Sequence, residues 1–138
     1  MTMPVVVPPN PRKMLVELLR AHTQLPADLV GKVVATLPTT FPAGLPYLRV
    51  PRAAGGQTLV PLRLWSANVD VEVYAVDEDQ ADELARVVSA LLRSLEQRAS
   101  GDGGFTAMDV AEPFELPDPS GAKRVVIPLT ATYRRRSA

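Results

Sequence analysis

Ser66-Ala67-Asn68-Val69-Asp70-Val71-Glu72-Val73-Tyr74-Ala75-Val76 decides the fold, together with the helix signal that follows at Asp77. Ala67, Val69, Val71, Val73 and Ala75 alternate with Ser66, Asn68, Asp70, Glu72 and Tyr74, the two-residue period of a strand buried on one face. Asp77 then reads as a helix N-cap. Gln80 stands three residues later as in a capping box, and Glu78 and Asp79 suit the positive first turn. Ala81, Leu84, Ala85, Val88, Leu91, Leu92 and Leu95 recur at helical spacing, so the helix is expected over 78–98, stopping before Ser100-Gly101-Asp102-Gly103-Gly104. The valines must face this leucine stripe. Asp70, Glu72 and Tyr74 are thereby expected on the opposite, open side of the sheet.

Toward the C-terminus, 105–116 reads as an irregular strand and Asp118-Pro119-Ser120-Gly121 as a turn. A last strand is expected over 123–135, with Val125, Ile127, Leu129, Ala131 and Tyr133 on one face. Pro128 within it calls for an edge position or a bulge. Toward the N-terminus, Asn10 before Pro11 marks a helix start, and Met14, Leu15, Leu18 and Leu19 carry a short amphipathic helix to about Thr23. The β-branched clusters 33–37, 47–50 and 58–65 read as strands with proline at their margins, and 51–57 as a hairpin-like connection with a mobile Gly55-Gly56 tip. Helices on one face of a mainly antiparallel sheet make an α+β two-layer sandwich. The reading is one domain over 1–138, with a proline-rich N-terminal arm (1–10) and a short basic C-terminal tail (134–138).

Composition narrows the chemistry. The 138 residues include no cysteine and one histidine, which leaves no thiolate nucleophile, disulfide or His-cluster metal site, and no cofactor or metal is expected. Fifteen basic and fifteen acidic side chains balance, without the basic footprint of a dedicated nucleic-acid binder. No apolar run approaches the roughly 18 residues of a membrane span. The first residues lack the basic and apolar regions of a secretory signal, so the product is expected to stay in the cytosol where it is made.

Charge is uneven along the chain: 1–60 carries six Lys/Arg against two Asp/Glu, 61–100 four against eight, and 101–138 five against five. Opposed patches of this kind are either paired internally or used head-to-tail between copies. Individual motifs point to no reaction. The acidic run at 77–83 is explained by helix capping, and Ser66, Ser89 and Ser120 lie outside any nucleophile elbow. No Gly-Lys-Ser/Thr follows Gly55-Gly56, so a phosphate loop has no support. Asp70 and Glu72, two apart on a strand, form a generic acid–base pair with no His or nucleophile beside them; a solvated or interface surface is the simpler reading. His22 reads as a surface or packing residue, and Arg134-Arg135-Arg136 as a solvated tail.

The strand Val69-Asp70-Val71-Glu72-Val73-Tyr74-Ala75, its acidic link and the helix from Gln80 to Val88 resemble the strand-to-helix core of tail terminator proteins of long-tailed phages. The likeness extends to chain length, to the early helix carrying Leu15, Leu18 and Leu19, and to the closing Thr130-Ala131-Thr132-Tyr133-Arg134. The resemblance implies a structural, non-enzymatic virion protein, made in the host cytoplasm and placed in the tail neck. It would form a ring of about six copies on the head-proximal end of the tail tube. Its partners would be itself, the tail tube protein and the head–tail connector or stopper, with DNA passing through the lumen without specific binding and no membrane involved. Subunit or partner contact is expected at Arg49, Arg52, Gly55, Gly56, Gln57, Arg63, Asp70, Glu72 and Tyr74. There Asp70 and Glu72 beside Tyr74 would meet Arg49, Arg52 or Arg63 of a neighbouring copy. Another neck component, a stopper or adaptor, and a small ligand-binding or enzymatic α+β domain are the alternative readings.

Overall fold

The structure is a computed structural model describing residues 5–135; the first four residues of the proline-rich arm and the last three of the basic tail lie outside the described residues. Helix α1 (Pro11–Arg20) starts where Asn10 Oδ1 accepts from the Lys13 N–H at 3.2 Å, with proline at the first helical position. A short 3-10 turn, Ala27–Leu29, leads into β1 (Val33–Val34), β2 (Tyr47–Arg49), β3 (Gly55–Val60) and β4 (Leu64–Ala75). Helix α2 (Glu78–Ser94), β5 (Gly103–Val110), β6 (Phe114–Leu116) and β7 (Lys123–Arg135) complete the order. The seven strands form one sheet in the order β1-β2-β4-β7-β5, with β3 on β4 and β6 on β7. Every pairing is antiparallel except β1 with β2.

Both helices bury their apolar stripes in one core against Val69, Val71, Val73, Ile127, Leu129 and Ala131, so the α+β two-layer reading holds. Leu84, Leu91, Leu92 and Leu95 are all buried there, each contributing roughly 1.5–3 kcal/mol before entropy. His22 ties the helices together. Its Nδ1 accepts from the Gln24 N–H at 3.0 Å, which leaves Nε2 to donate to Ser94 Oγ at 2.9 Å, and that hydroxyl donates to the Leu91 carbonyl at 2.6 Å.

Three local expectations are corrected. Gly55-Gly56 is not a hairpin tip but lies within β3, paired with Asn68 and Ala67. A Cβ on Gly56 would run into the Ser66 carbonyl, so close backbone approach, and not turn geometry, requires the glycine. The turn itself is Pro61-Leu62-Arg63, splitting the expected 58–65 strand, with Leu62 at φ 64° and the Arg63 N–H on the Val60 carbonyl at 3.0 Å. Helix α2 ends at Ser94, because Gln97 turns to φ 67° and residues 97–98 exchange backbone hydrogen bonds with Phe105.

Pro128 lies on β7 between β4 and the β5/β6 side, so it is not at an edge. The Pro128 carbonyl accepts from Ala111, and in an antiparallel ladder a residue's N and C=O point the same way. Its missing N–H therefore faces 111–113, where β5 has ended and β6 has not begun. The break in the neighbouring strand, and not an edge, accommodates the proline.

Candidate interaction surfaces

The outer face of β4 is divided. Near its start Asn68 and Asp70 are exposed, with Thr130 Oγ1 donating to Asn68 Oδ1 at 2.9 Å. Near its end Glu72 and Tyr74 are each only 3% exposed, contrary to the expectation of an open face. The alternation places them on the correct side of the strand; the proline-rich segment between β1 and β2 packs on Tyr74, and Arg49, Arg124 and Tyr74 enclose Glu72. Val34, Leu37, Phe41 and Leu45 pack with Tyr47, Tyr74 and Ala122 into a second, smaller core on the sheet's outer side. Phe41 meets Tyr74 edge-on at 5.1 Å and 80°, and lies 6.2 Å from Tyr47. Lys32 closes this lobe, with Nζ on the Gly44 carbonyl and 4.6 Å from the centre of the Tyr47 ring.

Glu72 is satisfied from within its own chain. Arg49 Nη1 donates to Oε1 at 2.7 Å, Arg124 Nε donates to Oε2 at 2.5 Å and its Nη2 also pairs there, and the Tyr74 hydroxyl donates to Oε2 at 3.1 Å. Two guanidiniums on one carboxylate leave the group net positive. The Tyr74 hydroxyl pKa is raised, first by burial and then by the Glu72 charge, with Arg124 opposing, so it stays a proton donor. Arg49 and Glu72, expected to pair between copies, thus pair inside one copy. The register Arg49↔Glu72 on β2–β4 brings them side by side. Arg124, which sequence reasoning did not single out, arrives from β7 beside Tyr74. The signal for the cover is the recurrence of Leu37, Phe41 and Leu45 in the proline-containing segment between the 33–37 and 47–50 clusters.

The remaining expected contact residues stay accessible but do not converge. Gly55, Gly56 and Gln57 lie on β3, all of whose residues are exposed, and Arg63 sits in the turn beyond. Strand β3 runs beside the first half of β4, and at the turn between them Leu59, Val60 and Leu62 are 42, 41 and 52% exposed. Among the described residues β3 pairs only with β4, so its other edge is open there. Arg52 lies elsewhere, in the irregular segment between β2 and β3. It lines a cleft of about 630 Å³ with Arg12, Lys13 and Arg20 of α1, over Val16, Ala35 and Ala53. Asp70 is apart from these arginines and shares a shallow hollow with Asn68, Asp109 and Thr130.

Among the described residues no three His, Cys, Asp or Glu side chains gather to hold a metal, and no helix is long and apolar enough to cross a membrane. The sequence matches no protein-family model and no curated protein.

Proposed function

We propose that the protein is a structural component of a phage tail: a tail terminator whose copies form a ring on the head-proximal end of the tail tube and join it to the head connector. The single observation that carries this reading is strand β3, exposed along its whole length, with apolar side chains at the β3–β4 turn and an outer edge that is open among the described residues. Monomeric proteins normally blunt or cover such an edge, and a subunit that closes a ring has a neighbour to cover it. The charge distribution supports the same reading, since patches of opposite sign lie on different parts of one subunit, as a head-to-tail contact needs. A balanced net charge suits a conduit through which DNA has to slide.

The test is electron microscopy of tail tubes incubated with the purified protein, paired with mass measurement in solution. Rings on one end of each tube, and loss of further tube growth, are expected. Tubes with bare ends that keep elongating would overturn the reading.

A further inference from the structure

A ring made by one kind of subunit has to join two different surfaces of that subunit, and the structure carries two that fit. The basic cleft lies at the β1/β2 edge of the sheet: α1 packs on β1, Arg20 Nε donates to the Val33 carbonyl at 3.0 Å, and Arg52 faces α1 from the segment after β2. Lys13 is drawn toward Asp102 at 3.5 Å, whereas Arg12 and Arg52 make no ion pair among the described residues. Four cations against Glu17 and the Asp102 carboxylate beside Lys13 leave this cleft net positive above an apolar floor.

The other edge of the sheet is its opposite in charge. Among the described residues strand β6 pairs with β7 alone, so its far side presents free backbone groups there. Phe114 and Leu116 on it are 47 and 37% exposed. Between β6 and the first turns of α2 runs a groove of about 370 Å³ that includes Asp82, Arg86, Phe114 and Glu115. Asp82, Glu112 and Glu115 are exposed and make no ion pair among the described residues. Each edge thus combines apolar area with an excess of one sign of charge, Arg86 being paired with Glu83 on the acidic side and Glu17 outnumbered on the basic one, and the two excesses are complementary. We propose that the acidic β6–α2 edge of one copy docks into the basic cleft beside α1 of the next; this rests on the ring reading above and names the contact that closes the ring. Asp70 is not part of it, because it lies on the sheet's face and not at an edge.

The experiment is a charge swap on the full chain. One variant carries Arg12→Glu with Arg52→Glu and has two acidic edges; the other carries Asp82→Arg with Glu115→Arg and has two basic edges. Both sets lie at the surface, so thermal unfolding of each variant should match the parent within a few degrees. Sedimentation velocity is expected to show that each variant alone associates at least ~10-fold more weakly than the parent, and that an equal mixture regains assembly through alternating copies. Should a double variant fold poorly, Arg52→Glu mixed with Glu115→Arg makes the same comparison. If the parent assembles and both variants alone assemble equally well, the contact is wrong while the ring reading stands. Loss of assembly in both variants with no recovery on mixing also overturns the pairing. Duplex DNA bound by the cleft, lost on Arg52→Glu while self-association persists, would assign the cleft to nucleic acid instead. A parent that stays monomeric at high concentration and on tube ends would remove the ring reading and the contact with it.

Discussion

Residues 35–46 and 54–63 flank the same short strand, β2, and both look like proline- and glycine-broken connections, yet they end in opposite environments. The first folds back over the outer face of the sheet, burying Tyr74 against Leu37, Phe41 and Leu45, beside Glu72 with its two arginines. The second pairs along the first half of β4, and its apolar side chains at 59, 60 and 62 stay exposed. The lobe spends its apolar residues on stability, through an aromatic cluster set on a charged network. The apolar residues of the β3–β4 turn are about half exposed and add less to the isolated fold, which leaves apolar area open at the surface.

The sharpest way to break this contrast is to change neighbouring residues on β4. Glu72→Ala strands Arg49 and Arg124 without their carboxylate, and a loss of about 3 kcal/mol is expected in denaturant unfolding. Asp70→Lys, one period earlier on the same face, should change stability by no more than about 0.5 kcal/mol. Equal effects at the two positions would mean that Glu72 is not enclosed by its arginines.

Phe41→Ala comes next. The ring is half-buried, so the loss should be about 2 kcal/mol, below that of a fully buried phenylalanine. Hydrogen exchange should show faster exchange at 72–74 and unchanged exchange at 66–68, since the covering belongs to one end of β4 alone.

A smaller effect concerns pH. Tyr74 and Tyr133 both have hydroxyl pKa values raised above 10.0, Tyr74 by burial and then by Glu72, with Arg124 opposing, and Tyr133 by burial. The native state holds these protons at pH values where the unfolded chain has released them. Stability is therefore full below about pH 10 and falls as pH rises from there through the folded values. Tyr74→Phe should make that alkaline decline shallower, a difference readable by unfolding at stepped pH. An unchanged slope would place the alkaline sensitivity elsewhere.

The β3–β4 turn gives the smallest effect on folding. Leu59→Ser with Leu62→Ser should leave unfolding within about 1 kcal/mol of the parent, because both side chains are about half exposed and outside the core. The same double change should weaken assembly on tube ends, counted by electron microscopy. Destabilisation in place of lost assembly would make these side chains part of the fold and erase the contrast with the lobe.

Legibility followed the range of the interactions. The alternation of 66–75, the Asp77 cap and the leucine stripe of α2 are local patterns, and they specified strand, helix and the side of the sheet on which each residue falls. The candidate contact residues were legible only as types. Asp70 and Glu72 read as carboxylates for Arg49, Arg52 or Arg63 of another copy, whereas Glu72 pairs with Arg49 of its own, since side-chain direction along a strand does not reveal whether another segment lies above it.

From the sequence alone came the α+β class, the capped helices, the long closing strand and the identity of the main core, because each depends on a period or a cap a few residues long. Tertiary structure alone decided that β2 with β3, and β5 with β6, share single edges of β4 and β7, and that Pro128 faces the gap in one of them. It alone placed Arg124 on Glu72 and folded 35–46 onto Tyr74 while leaving 54–63 outside. Those outcomes turn on residues far apart in the chain competing for the same patch of sheet, and no local periodicity records which of them arrives.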